Sequence, residues 1–595
     1  MSTTSKNRTL LLWAITLSIP FLLFGGIELG LRVFGYNKDP QNLFIEVESN
    51  PNYLVSNTKF IERYFPSFVP QVAPNAFRKE KAPNTFRVFV FGGSSALGFP
   101  YNFYFSFADQ IEQQLLLSTE GVNVEVINLA MTAVNSYVIH DLSKRVQEYE
   151  PDAVIIYAGH NEFYGSFGAA STQFNMANNV GLKRLILWLK NWRLYQLMES
   201  LFSKSGEESN DRRTMMARVV KHADISLDSD IYHDGITQFE KNIGDVIDSF
   251  SKDKVPVFIG TVASNLKDQA PLSDAEAANT AYEQAINSFA KTDTTKALEL
   301  FLKAKELDEI RFRAPEAINE VIRAFSENEM VTVVDIQQVL RNSSESSIED
   351  ESLFIDHLHP TFEGHFLMAD VFLEEIKKLP RLQSRLINNP FGRPDSISDF
   401  EITFANVAIE RLLAGYPFTK GISQEQELEN FESVFRQYQE KSHVDSLGAL
   451  TAREQRFVPE MLTEAVNYSR ANGDSLAYVR HYYELLKWQL NSISLVERVT
   501  EFAITNRSYD EYLLNMLLQV VNDGNTDPRY MDVISSLYLI NNAPENAKYW
   551  LDRSEALNPN TTRLLYNYAR FYLVTGDTLA GQQYFQRYLE SQRNQ

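Results

Sequence analysis

Residues 88–98 read V-F-V-F-G-G-S-S-A-L-G. Four apolar residues with β-branched and aromatic side chains run unbroken, the pattern of a strand buried on both faces of a parallel sheet. The abrupt change to small residues marks a sharp strand exit. Two uses compete for it: a glycine loop that cradles a phosphate, or a turn that presents a serine. A phosphate loop needs a lysine and a hydroxyl residue after its glycines, and a dinucleotide loop needs G-x-G-x-x-G; this stretch has neither. What remains is a turn that exposes Ser94 at the carboxyl end of the sheet, where open α/β sheets place their ligands. Taken alone, a G-x-S after a strand is also compatible with a plain structural turn.

Working outward, strand-like runs at 87–91, 124–128, 153–157, 255–261 and 331–336 alternate with amphipathic helical stretches. That alternation predicts βαβ units and a parallel sheet covered by helices on both faces, an α/β domain over residues 85–379. At 595 residues the chain exceeds what one core serves, so two or three domains are expected. Residues 28–84 carry Asn, Pro and aromatic residues without clear period and are expected to form an irregular lead-in. Residues 380–400 have the Pro, Asn and Arg content of a linker.

The region 401–595 reads as helical. Ile534, Tyr538, Ala547 and Leu551 recur thirty-four residues later as Tyr568, Tyr572, Gly581 and Phe585, with Asn558-Pro559 closing the first unit. This period resembles the tetratricopeptide repeat, a stacking helix pair. Helices from about 401 to 522 are expected to complete the array, and 281–308 has the same flavour inside the α/β domain.

The net charge of −21 argues against nucleic-acid binding, which needs clustered Lys and Arg. The absence of cysteine excludes disulfides, thiolate metal sites and cysteine nucleophiles. Residues 9–27 are uncharged and would span roughly 28 Å as a helix, enough to cross a bilayer. A cleaved signal peptide is the rival, but no A-x-A-like site is present, and Glu28 and Arg32 follow where small residues are wanted. Lys6 and Arg8 precede the run, while Arg32 and Lys38 beyond it are diluted by Glu28, Asp39, Glu46 and Glu48. The slight bias predicts residues 1–8 in the cytoplasm, a membrane anchor at 9–27 and the bulk outside.

A serine hydroxyl needs a base. Of nine histidines, His140, His222, His443 and His481 sit in helical or linker sequence with nothing suggestive around them. The segment 355–360, I-D-H-L-H-P, differs. In a helix or turn Asp356 and His359 lie on one side, so the carboxylate can hold one imidazole nitrogen while the other faces the serine. The rival is a metal site using Asp356, His357, His359 and His365, but further ligands are not identifiable. Two more strand exits complete the set: 127–136, I-N-L-A-M-T-A-V-N-S, and 155–162, I-I-Y-A-G-H-N-E, where Gly159 permits close approach and Asn161 offers an amide. Backbone N–H groups and such an amide, converging from different elements, could receive an oxyanion.

This ordered set resembles the SGNH, or GDSL-type, hydrolases over roughly residues 87–379. The resemblance implies a three-layer α/β/α domain, with Ser94 as nucleophile, His359 as general base and acid and Asp356 as orienter. It implies an oxyanion hole from the N–H groups of Ser94 and Ala133 and the amide of Asn161. Gly93 stands where the family has Asp, and Ala133 where it has Gly; a backbone donor survives the latter only if φ stays negative or strain is tolerated. Ser95 is the alternative nucleophile. The expected activity is that of a membrane-anchored, extracytoplasmic serine esterase, periplasmic in a bacterium, without cofactor, acting on a small-molecule ester or an acylated glycan or lipid. An O-acyltransferase or deacetylase acting on surface polysaccharide, and a catalytically idle scaffold whose repeats bind a protein partner, are the alternatives. The segment 182–202 mixes Leu182, Leu185, Ile186, Leu189, Leu197, Met198 and Leu201 with Lys183, Arg184, Lys190 and Arg193. It reads as a helix packed on the sheet, a cap on an acyl pocket or a membrane-surface element.

Overall fold

A computed structural model describes residues 3–37, 41–48, 50–65, 70, 72–171, 179–202, 224–392, 397–419, 422–488 and 510–593. The lead-in is more regular than its sequence suggests. It carries a small antiparallel sheet of β1 (Phe44–Val47), β2 (Asn50–Ser56) and β3 (Phe77–Arg78). These strands are short and mostly polar on one side, so local pattern could not reveal them. Lys38 and Asp39 lie outside the described residues.

The main sheet is parallel and has five strands: β4 (Thr85–Gly92), β5 (Asn123–Asn128), β6 (Ala153–Tyr157), β7 (Val257–Gly260) and β8 (Val331–Val334). Their order is β5-β4-β6-β7-β8. All five fall where the apolar runs predicted them. Every residue of β4 and β6 is buried, which is why these strands read as continuous rather than alternating apolar runs. Period two still governs which side each residue covers. Phe91 pairs in register with Ile156, and its ring meets Phe250 of the helix Asp230–Lys252 at 6.5 Å. The next β6 residue, Tyr157, turns to the opposite face and meets Phe107 of the helix Phe107–Ser118 at 6.1 Å. Helices therefore cover both faces, as a parallel sheet requires.

Beyond the α/β region, described helices run from Asp399–Leu413 to Thr578–Arg593. The last four, Pro528–Ile540, Pro544–Leu557, Thr562–Val574 and Thr578–Arg593, form two consecutive helix pairs at the positions of the internal sequence match. Part of the expected helical run, residues 489–509, lies outside the described residues, as do 393–396 of the expected linker. The helical region is fastened to the sheet's edge. Asn522 donates its amide to the Val124 carbonyl at 2.7 Å and accepts from the Val124 N–H at 2.8 Å. One side chain thereby occupies backbone groups that the edge strand β5 would otherwise leave open.

At the N-terminus, the helix Thr3–Val33 contains one stretch, Leu12–Val33, long and apolar enough to cross a membrane or to act as a signal sequence.

Candidate active site

The three strand exits named by the sequence meet at the carboxyl ends of β4, β5 and β6. After β4 the chain turns at Gly93 into a single helical turn, Ser94–Leu97, closed by left-handed Gly98. After β6, Gly159 takes a φ of +154°, and a Cβ there would stand 2.7 Å from Ile318. Glycine is required at that bend for both backbone freedom and space.

His359 reaches this point from 265 residues along the chain. Its Nε2 lies 2.7 Å from Ser94 Oγ, and its Nδ1 lies 2.7 Å from Asp356 Oδ2. The segment is a bend rather than a helix, closed by the bridge between Phe354 and Pro360 and by the Ile355 N–H on the His359 carbonyl at 2.9 Å. Asp356 fixes the bend by accepting at Oδ1 from the N–H groups of Leu358 and His359, at 2.9 and 2.8 Å. Its other oxygen is thus aimed at the imidazole. With Nδ1–H donated to the carboxylate, Nε2 carries the lone pair that a serine hydroxyl can use.

Burial alone would raise Asp356, but the imidazoles of His359 and His357 hold its carboxyl well below the ordinary range. It therefore stays an anion in this buried position. Burial keeps the neighbouring imidazoles neutral. His160 is lowered to about 3, chiefly by burial and then by His357 and His359, and His365 to about 3 by burial and His359. His357 is lowered by burial as well. The other described histidines lie elsewhere: His140 faces Asp245, His443 faces Glu464, His481 meets Ser469 and the His233 ring meets Tyr232. His222 lies outside the described residues.

Ser95 is committed elsewhere. It is buried, and its Oγ donates to the Leu358 carbonyl at 3.2 Å, so it helps hold the histidine segment against the serine turn.

The three expected oxyanion donors gather around Ser94. Ser94, Ala133, Asn161 and His359 line one cleft, and a Cβ on Gly93 would lie 2.6 Å from Asn161 Nδ2. Ala133 adopts a φ of +57°, the left-handed conformation. The strain is held in place because its carbonyl accepts from the Ser166 N–H at 2.9 Å, while the Asn161 carbonyl accepts from Gly165 N–H at 2.7 Å. Among the described residues, neither the Ala133 N–H nor the Asn161 amide donates to a protein acceptor.

Two contributions went unread in the sequence. Glu162, next to Asn161, accepts from the Ser136 N–H and hydroxyl at 3.1 and 2.7 Å, and its carbonyl accepts from Gln238 at 2.6 Å. This ties the exits of β5 and β6 together. Burial pushes its carboxyl up to about 7, against the hydrogen bonds from Ser136 and Gln238 and the charge of Lys183. Its place in G-H-N-E was the available signal. The second is Leu412, from the helix Asp399–Leu413, which lines the cleft with Phe99 and Phe312. Phe418 follows it and meets His357 edge-on at 5.0 Å. The cleft is open to solvent and mostly walled by apolar groups.

The rival metal reading has a partial set. Asp356, His357 and His359 hold ligand atoms within 4.8 Å of one another. His365 is apart from them, among Tyr101 and Phe107. In the observed arrangement both His359 nitrogens are already occupied, by Asp356 and Ser94, so a cation bound through His359 would have to break one of these contacts.

No protein-family model and no curated protein matches the chain. Among solved structures it is similar to a lipase/acylhydrolase from Enterococcus faecalis, at 15% identity and a TM-score of 0.25, over 49% of this chain and 95% of that one. A catalytic mutant of an acetylxylan esterase from Geobacillus stearothermophilus is similar at 12% identity and a TM-score of 0.26, over 49% and 94%. MamA protein is similar at 11% identity and a TM-score of 0.16, over 23% of this chain and 92% of its own. Likenesses this remote leave the chemistry of the site to its own geometry.

Proposed function

We propose that this chain is a membrane-anchored serine esterase of SGNH type, with its catalytic domain at residues 85–379 outside the cytoplasm and a helical, tetratricopeptide-like region at 401–595. The observation that carries the reading is His359, placed 2.7 Å from both the Ser94 hydroxyl and the Asp356 carboxylate. A serine hydroxyl becomes nucleophilic only when a base so placed takes its proton.

In the proposed reaction Ser94 Oγ attacks the ester carbonyl carbon while His359 Nε2 accepts the hydroxyl proton. Asp356 stabilises the imidazolium that forms. The carbonyl oxygen, now negative, is received by the N–H groups of Ser94 and Ala133 and the Asn161 amide, donors positioned before charge develops. The tetrahedral species collapses as the imidazolium gives its proton to the leaving alcohol. Water then repeats the steps on the acyl-serine, releasing the acid. The apolar wall of Phe99, Phe312 and Leu412 suits the acyl group. The helical region supplies part of that wall and also offers surface for a protein partner.

Covalent labelling with a fluorophosphonate tests the reading. Full-length protein should label, Ser95→Ala should still label, Ser94→Ala should not, and chelators should leave the reaction unchanged. Absence of labelling in folded parent protein would favour the idle scaffold. Transfer of the acyl group to an added glycan in preference to water would move the assignment to an O-acyltransferase.

A further inference from the structure

The N-terminal helix does not end in solvent. Its last turns are clasped to the helix Arg193–Phe202, which follows the helix Val180–Leu189 after a short turn. Glu28 is 5% exposed and accepts from the N–H groups of Arg193 and Leu194, at 3.2 and 2.8 Å, and from Arg32 at 2.7 Å. Arg193 returns the contact, donating to the carbonyls of Leu31 and Arg32 at 3.1 Å each. Those carbonyls close the end of the helix, where they also accept from the N–H groups of Tyr36 and Gly35, at 2.9 and 3.2 Å. Asn37 extends the clasp to Gln196 at 2.9 Å. The uncharged run ends at Ile27, so the clasped residues Glu28 to Arg32 lie within about 8 Å of its end at 1.5 Å per residue. The headgroup layer of a bilayer is of similar depth, roughly 5–8 Å on each side. Whatever grips Glu28 and Arg32 therefore lies at the level of the headgroups.

The two helices are dressed for that place. Leu185, Trp188, Met198 and Leu201 are 47%, 51%, 47% and 71% exposed, and Trp188 meets Trp192 edge-on at 5.3 Å. Tryptophan is favoured at membrane interfaces because its ring is apolar and its N–H polar. The basic residues of 180–202 are not part of this surface: Lys183, Lys190 and Arg193 are buried, and Arg184 pairs with Asp245. Large apolar side chains left exposed in this way are costly in water and suited to lipid.

We propose that the segment 180–202 is seated in the headgroup layer of a phospholipid bilayer, with Leu185, Trp188, Met198 and Leu201 in contact with lipid. The Glu28–Arg193 clasp then fixes the angle of the catalytic domain over the membrane. The inference rests on reading residues 9–27 as a retained span, and it adds a second contact that a flexible tether would not provide.

The absence of cysteine makes the test direct. Single variants Leu17→Cys, Trp188→Cys, Leu201→Cys and Ile540→Cys in the full chain are labelled with an environment-sensitive fluorophore and reconstituted into phosphatidylcholine–phosphatidylglycerol vesicles. Quenching by nitroxide lipids is compared with quenching by aqueous iodide. The Leu17 label should be quenched by lipids carrying the nitroxide deep in the acyl chain. Labels at 188 and 201 should be quenched by lipids carrying it near the headgroup, and the label at 540 by iodide alone. Adding Glu28→Ala should shift the 201 label toward iodide while leaving the 17 label in lipid. If 17 is lipid-quenched but 188 and 201 respond like 540, the seating is wrong and the span stands. If 188 and 201 are shielded from both quenchers, protein covers the segment and the inference is overturned. If the 17 label itself escapes lipid quenching, the span falls and the seating with it.

Discussion

Gly93 and Asn161 approach so closely that a Cβ on the glycine would lie 2.6 Å from the asparagine's amide nitrogen. The residue before the candidate nucleophile is thus bare on the side where a proposed oxyanion donor sits. Gly93→Ala should swing the amide away without disturbing β4, since the obstructing atom is the free end of a side chain. Losing one such donor costs about 10² to 10³ in kcat. The expected outcome is a fall in kcat toward that seen for Asn161→Ala, with KM and melting temperature little changed, measured on a short-chain nitrophenyl ester. An unchanged kcat in Asn161→Ala would remove the amide from the mechanism.

Ala133 holds a φ of +57°. A Cβ in the left-handed region costs about 1 kcal/mol, which glycine does not suffer. Ala133→Gly should therefore raise the melting temperature slightly and leave kcat intact or higher, because the backbone donor keeps its place. Ala133→Val, branched at Cβ, should lower both. Thermal unfolding and steady-state kinetics of the two variants decide it; a destabilised glycine variant would mean that the left-handed turn is not under strain.

Much of this arrangement was written locally. The five strands of the sheet were legible because each is a short apolar run between small or polar residues. Asp356 and His359 were legible because four residues suffice to bring them together. Their meeting with Ser94, 265 residues away, was legible only through the order of the blocks. Leu412 lies past the linker in a helix whose own pattern is ordinary, so nothing local links it to a cleft built from β4, β5 and β6. The small sheet β1–β3 was hidden because a two-residue strand such as Phe77–Arg78 has no period to detect. The clasp of Glu28 on Arg193 was equally hidden: a single acid after an apolar run resembles a helix boundary until its partner, 165 residues on, is known.

Leu412 bears on specificity. It faces the cleft beside Phe99 and Phe312, and removing its branched end would lengthen the space for an acyl chain. A pocket discriminates by about tenfold or more for each methylene it gains or loses room for. Leu412→Ala should raise kcat/KM for butyryl over acetyl esters by about tenfold, with fluorophosphonate labelling preserved. A panel of nitrophenyl esters of increasing chain length reads this directly; an unchanged preference would place the acyl group elsewhere.

Glu401 and Glu484 form a buried pair of acids between the helical region and the loop that follows the serine turn. Glu401 accepts from the N–H and the side-chain amide of Asn102, and Glu484 accepts from the N–H and hydroxyl of Ser398, at 2.9 and 2.6 Å. Burial raises both carboxyls, and the charge of Glu484 raises Glu401 further, against the hydrogen bonds from Asn102. With native values above the ordinary glutamate value of 4.5, the folded state binds more protons than the unfolded chain over that interval. Stability from this pair is therefore fully present below the ordinary value and is lost as pH rises through the raised ones. Glu401→Gln carries no charge, so it removes one of the two titrations while keeping one acceptor for the donors of Asn102. Denaturant titrations between about pH 5 and about pH 9 should show the parent losing stability with rising pH more steeply than Glu401→Gln, the two being closest at the acid end. Parallel curves would mean that Glu401 stays ionised within the fold, and that the contact to Asn102 is held by charge rather than by a proton.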